Sequence, residues 1–214
     1  MRQLIGTFSG TGSAGTIGHG LGVAPKLILM KNRDSTTSWA VYHDAVGANQ
    51  QLLLNSNNKA SSDTNGFPSA PTSTVINVGS GSAMDTNQSG SHVFYAFAEV
   101  EGFSKFGSYE SNNNVNGPFV YTGFRPAFII TKDIDRNSMT WILNDSARDP
   151  FNPAGENFAV SGTNTDPYNT NSDIDILSNG FKLRGGSSSF NNYLTETYIY
   201  IAFAENPFKY ANAR

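Results

Sequence analysis

The sequence predicts an all-β protein: two tandem antiparallel β-sandwich units of jelly-roll type, related by internal duplication, the first at residues 1–106 and the second at 107–214. Three observations predict it. The chain repeats itself, and its apolar segments are short and separated by polar turns. Its composition, with 21 Gly, 9 Pro and 14% charged residues against about 25% in a typical soluble domain, suits turns and hydroxyl-lined sheet faces better than helices.

The repeat comes first because it sets the unit. Gly6-Thr7-Phe8, then Gly22-Val23-Ala24-Pro25 and Lys26–Lys31, return as Gly107-Ser108-Tyr109, then Gly123-Phe124-Arg125-Pro126 and Ala127–Lys132. Trp39 returns as Trp141, and Tyr95-Ala96-Phe97-Ala98-Glu99 as Ile201-Ala202-Phe203-Ala204-Glu205. Each copy closes on an aromatic-Lys-aromatic element, Phe103–Phe106 and Phe208-Lys209-Tyr210. Each unit is therefore about 100 residues long, and two such units fill the chain.

Within the first unit, Lys26–Lys31, Ser38–Tyr42, Gln51–Leu54, Thr74–Val78 and His92–Val100 are rich in β-branched, aromatic and long apolar residues and predict strands. The second offers Phe119–Tyr121, Ala127–Lys132, Met139–Leu143, Asn157–Val160, Ile174–Leu177, Phe181–Arg184 and Thr197–Phe203. Asn65-Gly66, Asn116-Gly117 and Asn179-Gly180 predict tight turns through positive φ. No window of 11 or more residues keeps a helical period, and the prolines break the best candidates. Asn55–Ser73 and Ser161–Ser172 are long polar loops at equivalent places, and loops of that length are commonly functional or mobile.

Composition also excludes functions. The net charge is −3 with no Lys/Arg cluster, which excludes a nucleic-acid groove and a polybasic membrane patch. The longest apolar stretches, Val93–Ala98 and Ile199–Ala204, fall far short of the roughly 18 residues of a membrane helix, so no membrane insertion is expected. The opening Met1–Ile5 lacks the apolar segment of a secretory signal. With no Cys there is no disulfide scaffold, thiol nucleophile or Cys-based zinc site.

The residues that carry chemistry give weak returns. His19, His43 and His92 all lie in the first unit, so no duplicated site is built on His, and no Gly-x-Ser-x-Gly elbow singles out a serine. His43, beside Tyr42, is expected to be a half-buried polar residue. Glu99 and Glu205 occupy one position in the two copies, and with Glu101 they could supply paired carboxylates for glycoside cleavage, but repetition favours a structural role. Asp133-Ile134-Asp135 and Asp173-Ile174-Asp175 could chelate calcium from one strand face or could be solvated strand edges. Gly10-Thr11-Gly12-Ser13-Ala14-Gly15 lacks the Gly-Lys-Ser/Thr ending of a phosphate loop and is expected to be a flexible polar loop. Trp39 and Trp141 are expected to share one core position, although aromatics interleaved with Asn and Ser also suit sugar stacking. No catalytic, cofactor or metal residue is assigned.

Several segments together carry a resemblance: Gly20–Pro25, Trp39–His43, Tyr95–Gly102, Lys105–Tyr109, Gly117–Val120, Gly123–Phe128, Ala147–Pro153, Leu177–Lys182 and Ala202–Arg214. They resemble an uncharacterised domain carried by tail-fibre and other virion proteins of bacteriophages, particularly marine ones. What the resemblance implies is a non-enzymatic virion protein, extracellular once released by lysis, that attaches to host-surface polysaccharide, to other virion proteins, or to both. It further implies a homo-oligomer, with a trimer favoured. Family members sit at the end of much longer fibre proteins, whereas this chain starts at Met1 shortly before the first unit. It is therefore expected to be either a separate small virion protein or a fragment, and capsid decoration is the alternative to attachment. A polysaccharide depolymerase using Glu99 and Glu101 is the remaining alternative.

Overall fold

The computed structural model describes residues 3–80, 84–161, 172–186 and 189–206. Of the expected polar loop Ser161–Ser172 only the two end residues are described, and the closing Phe208-Lys209-Tyr210 lies outside the described residues. The chain divides into two compact units, Met1–Asn55 with Ala60–Glu99, and Ser56–Lys59 with Val100–Arg214. Among the described residues every regular element is a strand, and no helix is long and apolar enough to cross a membrane.

The first unit contains β1 (Gln3–Gly10), β2 (Gly15–Gly18), β3 (Leu27–Asn32), β4 (Ala40–His43), β5 (Gln50–Gln51), β6 (Ser61–Ser62), β7 (Val75–Val78) and β8 (Gly90–Phe97). An antiparallel sheet of order β1-β8-β3-β4 is accompanied by the pairs β2-β7 and β5-β6. Alternation along β8 turns His92, Phe94 and Ala96 inward. Phe94 and Ala96 join Ile28, Met30, Ala40 and Tyr42 of the same sheet against Ile76 and Val78 of β7, with Phe67 and Met84 closing the core.

The second unit contains β9 (Ser104–Glu110), β10 (Phe119–Tyr121), β11 (Pro126–Asp133), β12 (Ile142–Asp145), β13 (Asn157–Ala159), β14 (Ile174–Leu177), β15 (Gly180–Leu183) and β16 (Thr197–Ala204). A five-stranded sheet, β13-β12-β11-β16-β9, faces a three-stranded one, β10-β15-β14. Tyr109, Ile129, Tyr198, Tyr200 and Ala202 from the first meet Val120, Ile174, Ile176, Phe181 and Leu183 from the second. This is the interdigitating core of a β-sandwich. The Phe181 ring bridges the layers edge-on, 6.2 Å from Tyr109 and 5.7 Å from Tyr200, contacts worth about 0.5–1.5 kcal/mol each beyond the area they bury.

The larger sheets share a strand order, β1-β8-β3-β4 in one unit and β9-β16-β11-β12 in the other, as do the pairs β2-β7 and β10-β15. Details recur as well. Gly6 lies opposite Phe94, and Gly107 opposite Tyr200. A Cβ added at Gly6 would stand 2.5 Å from the Phe94 ring, and one at Gly107 would stand 2.8 Å from the Tyr200 hydroxyl. In both units an aromatic ring thus lies over a glycine of the neighbouring strand, filling space that a side chain would otherwise take.

The structure departs from sequence expectation in four places. The passage between units falls after Glu99 rather than between residues 106 and 107, because Ser104–Glu110 pairs with β16 in the second unit's sheet. β1, β2, β6 and β9 were not expected as strands: their Gly, Ser and Gln content hides a period of two that only cross-strand packing completes. Gln51–Leu54 contributes strand only at Gln50–Gln51, with Leu53 bridging to Ala40. Of the three Asn-Gly pairs, only Asn179-Gly180 falls at a hairpin, where Ser178-Asn179 makes the turn and Gly180 opens β15, and none of the three glycines has positive φ. At Gly117 the requirement is proximity, since a Cβ there would lie 2.6 Å from the Leu183 carbonyl.

Candidate ligand-binding site

The three histidines are all buried. His43 is fully buried rather than half-buried, and its Nδ1 accepts the Ala45 N–H at 3.2 Å in the turn after β4. His19, also buried, accepts the Leu21 N–H through Nδ1 at 3.2 Å and donates from Nε2 to the Thr72 carbonyl at 3.0 Å. His92 stacks on Phe8 with ring centroids 4.8 Å apart. One of its ring nitrogens lies 3.1 Å from the Gly90 carbonyl and the other 3.2 Å from Asp85 Oδ1. Both ring nitrogens of this fully buried side chain are thus within hydrogen-bond distance of an oxygen of the same unit. Burial works to raise the Asp85 pKa, but hydrogen bonds from His92, Thr37, Gln88 and Asn32 outweigh it and hold the carboxyl below its ordinary value.

The acidic candidates resolve differently. Glu205 pairs with Arg125 at 2.9 Å, and its backbone N–H bonds the Arg125 carbonyl. Glu99 is half-buried just beyond β8, and Glu101 is exposed in the turn between Val100 and Ser104. Asp133 accepts the backbone N–H groups of Asp135 and Arg136 at 2.9 and 3.0 Å, and Asp135 accepts that of Thr197 at 2.7 Å. The first unit builds the same corner, with Asn32 accepting the Asp34 N–H at 2.9 Å and Asp34 accepting that of Ser91 at 2.7 Å. Asp133-Ile134-Asp135 is therefore a strand-end clasp whose oxygens are used by backbone N–H groups and, at Asp133 Oδ2, by the Arg136 guanidinium at 3.3 Å. No group of three or more His, Asp or Glu that could hold a metal ion occurs among the described residues.

Trp141 is fully buried whereas Trp39 is only half-buried against Tyr95, so the expected shared core position differs in depth. Thr11–Ala14 connects β1 to β2, and Thr11 and Ser13 both receive hydrogen bonds from the Asn87 amide.

Asp173 and Asp175 lead elsewhere. Along β14 and β15, Ile174, Ile176, Phe181 and Leu183 face the core, so Asp175, Leu177, Gly180 and Lys182 face outward. The register sets Asp175 beside Lys182 and Lys182 beside Phe119, and next to them Leu177 beside Gly180 and Gly180 beside Tyr121. Phe119 and Tyr121 are 45% and 63% exposed, an unusual amount for adjacent outward aromatics on an edge strand. The face ends where the Arg184 N–H bonds the Asp173 carbonyl at 2.8 Å.

At that end lies an open pocket of about 470 Å³ lined by Asn113, Asn114, Val115, Asp173, Arg184, Gly185 and Gly186. Its loops are tied down by side-chain amides. Asn112 Oδ1 accepts the Asn114 N–H at 3.1 Å and Asn114 Oδ1 accepts the Asn116 N–H at 2.8 Å, two successive Asx turns that compete with strand formation. Between them Asn113 takes φ 53°, a region that Asn tolerates better than most residues. Fully buried Asn192 joins this loop to the opposite wall. Its Nδ2 donates to the Asn114 and Gly185 carbonyls, both at 2.8 Å, and its Oδ1 accepts the Asn112 N–H at 3.0 Å.

The pocket's charged groups are unevenly committed. Arg184 binds Asp175 through Nε and Nη2, both at 2.6 Å. The Asp173 carboxylate has no hydrogen-bond donor among the described residues, and burial, followed by the nearby Asp149 charge, raises its pKa above the ordinary carboxylate value. A second pocket of about 480 Å³ in the same unit is lined by Arg136, Met139, Phe190 and Tyr193, but there the guanidinium already lies 3.9 Å over the Tyr193 ring and bonds Asp133. Of these two, the first pocket offers a carboxylate with no donor among the described residues. Sequence reasoning singled out Asp173 but missed the Asn residues, whose only signal was the run Asn112-Asn113-Asn114.

A family model described as "Domain of unknown function (DUF7483)" matches residues 4–207, and the chain belongs to this family. No curated protein and no solved structure matches it.

Proposed function

We propose that the chain is a bacteriophage virion protein that works without catalysis, as an attachment module for host-surface glycan. The observation that carries the reading is the polar pocket of the second unit, where loops fixed by buried Asn192 present Asn113, Asp173 and Arg184 at the end of a rigid sheet. Sites of this kind bind by pre-organised polar groups rather than by moving protons. The groups best suited to acid–base work are used structurally: both nitrogens of His92 are engaged, and Glu205 is paired with Arg125. The phage assignment rests on the resemblance of the segments given above, and internal duplication is supported by the common strand order and the repeated Asp clasp. The module would work as a homo-oligomer, a trimer by the same resemblance, alongside other virion proteins and outside the cell after lysis.

The test is adsorption of fluorescently labelled protein to intact bacterial isolates, before and after enzymatic stripping of surface polysaccharide. Saturable adsorption lost on stripping supports attachment. No adsorption by protein that still binds virions lacking it would move the role to decoration or cement. Cleavage of the polysaccharide, abolished by Glu99→Gln with Glu101→Gln, would make it a depolymerase instead.

A further inference from the structure

Resting on the attachment reading, we infer that the Asn113/Asp173/Arg184 pocket takes an uncharged, hydroxyl-rich saccharide, with a further sugar unit of the same chain lying along the outer sheet face over Phe119. Three features define that ligand. The first is charge. On the outer face Asp173 and Asp175 balance Lys182 and Arg184, with Arg184 bonded to Asp175 and the Lys182 ammonium to the Gly117 carbonyl at 2.6 Å. Asp149 stands near enough to Asp173 to raise its pKa. Among the described residues of this face the cations are balanced by carboxylates, and the Asp173 carboxylate repels an acidic sugar.

The second feature is hydrogen-bonding demand. Asp173 offers carboxylate acceptors with no donor among the described residues, while the Arg184 Nη1 edge offers a donor. Asn113 adds an exposed amide that both donates and accepts. Vicinal hydroxyls, each a donor and an acceptor, satisfy such a mixed set, and bonds to the charged members are the stronger ones. The third feature is the surface beside the pocket. Gly180, opposite Tyr121, has no side chain, and a Cβ there would meet the Phe119 ring at 3.0 Å, so that ring lies across the glycine. An exposed aromatic next to a glycine leaves a flat apolar area on which the C–H face of a sugar can rest.

The experiment is a binding titration of the full chain, followed by amide NMR shifts and calorimetry. The probes are neutral gluco-, manno- and galacto-oligosaccharides and, as comparator, an oligouronate. The expected result is that a neutral oligosaccharide shifts the amides of Asn113, Val115, Gly185 and Gly186. Its affinity should fall about tenfold or more in Asp173→Asn, which removes the charge-assisted bonds while keeping the shape. Asn113→Gly should also weaken it; that change is tolerated at positive φ, so loss of binding there is not loss of fold. Phe119→Ala should weaken a longer oligosaccharide more than a short one. Binding by the oligouronate alone, binding that leaves these amides unshifted, affinity unchanged in both pocket variants, or no binding by any probe would each overturn the inference. Adsorption to cells separates this failure from that of attachment. If Asp173→Asn adsorbs as the parent does, attachment stands and the pocket falls. If the parent does not adsorb although a neutral oligosaccharide fills the pocket, the pocket stands and attachment falls.

Discussion

Replacing Asn192 by Ala should loosen the second unit and its pocket together. The side chain is fully buried and makes at least three good hydrogen bonds: from Nδ2 to the Asn114 and Gly185 carbonyls at 2.8 Å, and from the Asn112 N–H to Oδ1 at 3.0 Å. A further contact from Nδ2 to Asn112 Oδ1 at 3.2 Å must share one of the two amide protons, so it adds little. At about 1 kcal/mol net for each bond, the loss is about 3 kcal/mol. For a chain of this size that corresponds to a fall in midpoint of about 6–12 °C. The chain has two tryptophans, Trp39 in the first unit and fully buried Trp141 in the second, so urea unfolding followed by fluorescence in a Trp39→Phe background reports the second unit alone. Asn192→Asp should be no better, because it removes the donors and buries a charge. A loss below about 1 kcal/mol for Asn192→Ala would refute the claim that this residue holds the two pocket walls, since even one such bond is worth that much.

Other outcomes follow from the same structure. Lys132 is fully buried and its ammonium is pushed down to about 8 by desolvation, so between about pH 8 and 10.5 the unfolded chain holds the extra proton and stability should rise with pH; Lys132→Met should flatten that rise in urea titrations. Above pH 10 the sign reverses, because burial lifts Tyr42 to about 12 and also raises Tyr109 and Tyr198, so the unfolded chain loses phenol protons first and stability falls. At the acid end the depressed Asp85 contributes stability above its unfolded value near 3.8 that is lost as pH drops through the lower folded value, and Asp85→Asn should shrink that loss. Gly180→Ala should destabilise β10–β15 pairing by about 1–3 kcal/mol, because its Cβ would run into the Val120 carbonyl; an unchanged unfolding midpoint would contradict the close approach.

Much of the fold was legible where side chains declare a buried face. Ile174–Leu177 and Phe181–Arg184, with apolar residues at every second position, marked a hairpin that the structure places at Ile174–Leu177 and Gly180–Leu183. β1 and β9 were not legible, because Gly6 and Gly107 interrupt their apolar alternation and the missing bulk comes from Phe94 and Tyr200 on a strand roughly 90 residues away. Burial depth was hidden for a related reason: Trp39 and Trp141 have similar local neighbours, yet only Trp141 is enclosed. The pocket was least visible of all. Asp173 stood out as one of an acidic pair, but its significance depends on Asn192 reaching across to Asn112 and Asn114, a long-range hydrogen-bond pattern with no periodicity for a sequence to display.

The most direct test of attachment is a quantitative adsorption isotherm of the parent chain and Asp173→Asn on the same cell suspension, with particle mass from light scattering. The account predicts saturable adsorption of an oligomer by the parent, abolished on polysaccharide-stripped cells and weakened about tenfold or more by the substitution. Parent protein that remains in solution at every cell density, while binding tightly to virions that lack it, would contradict the account.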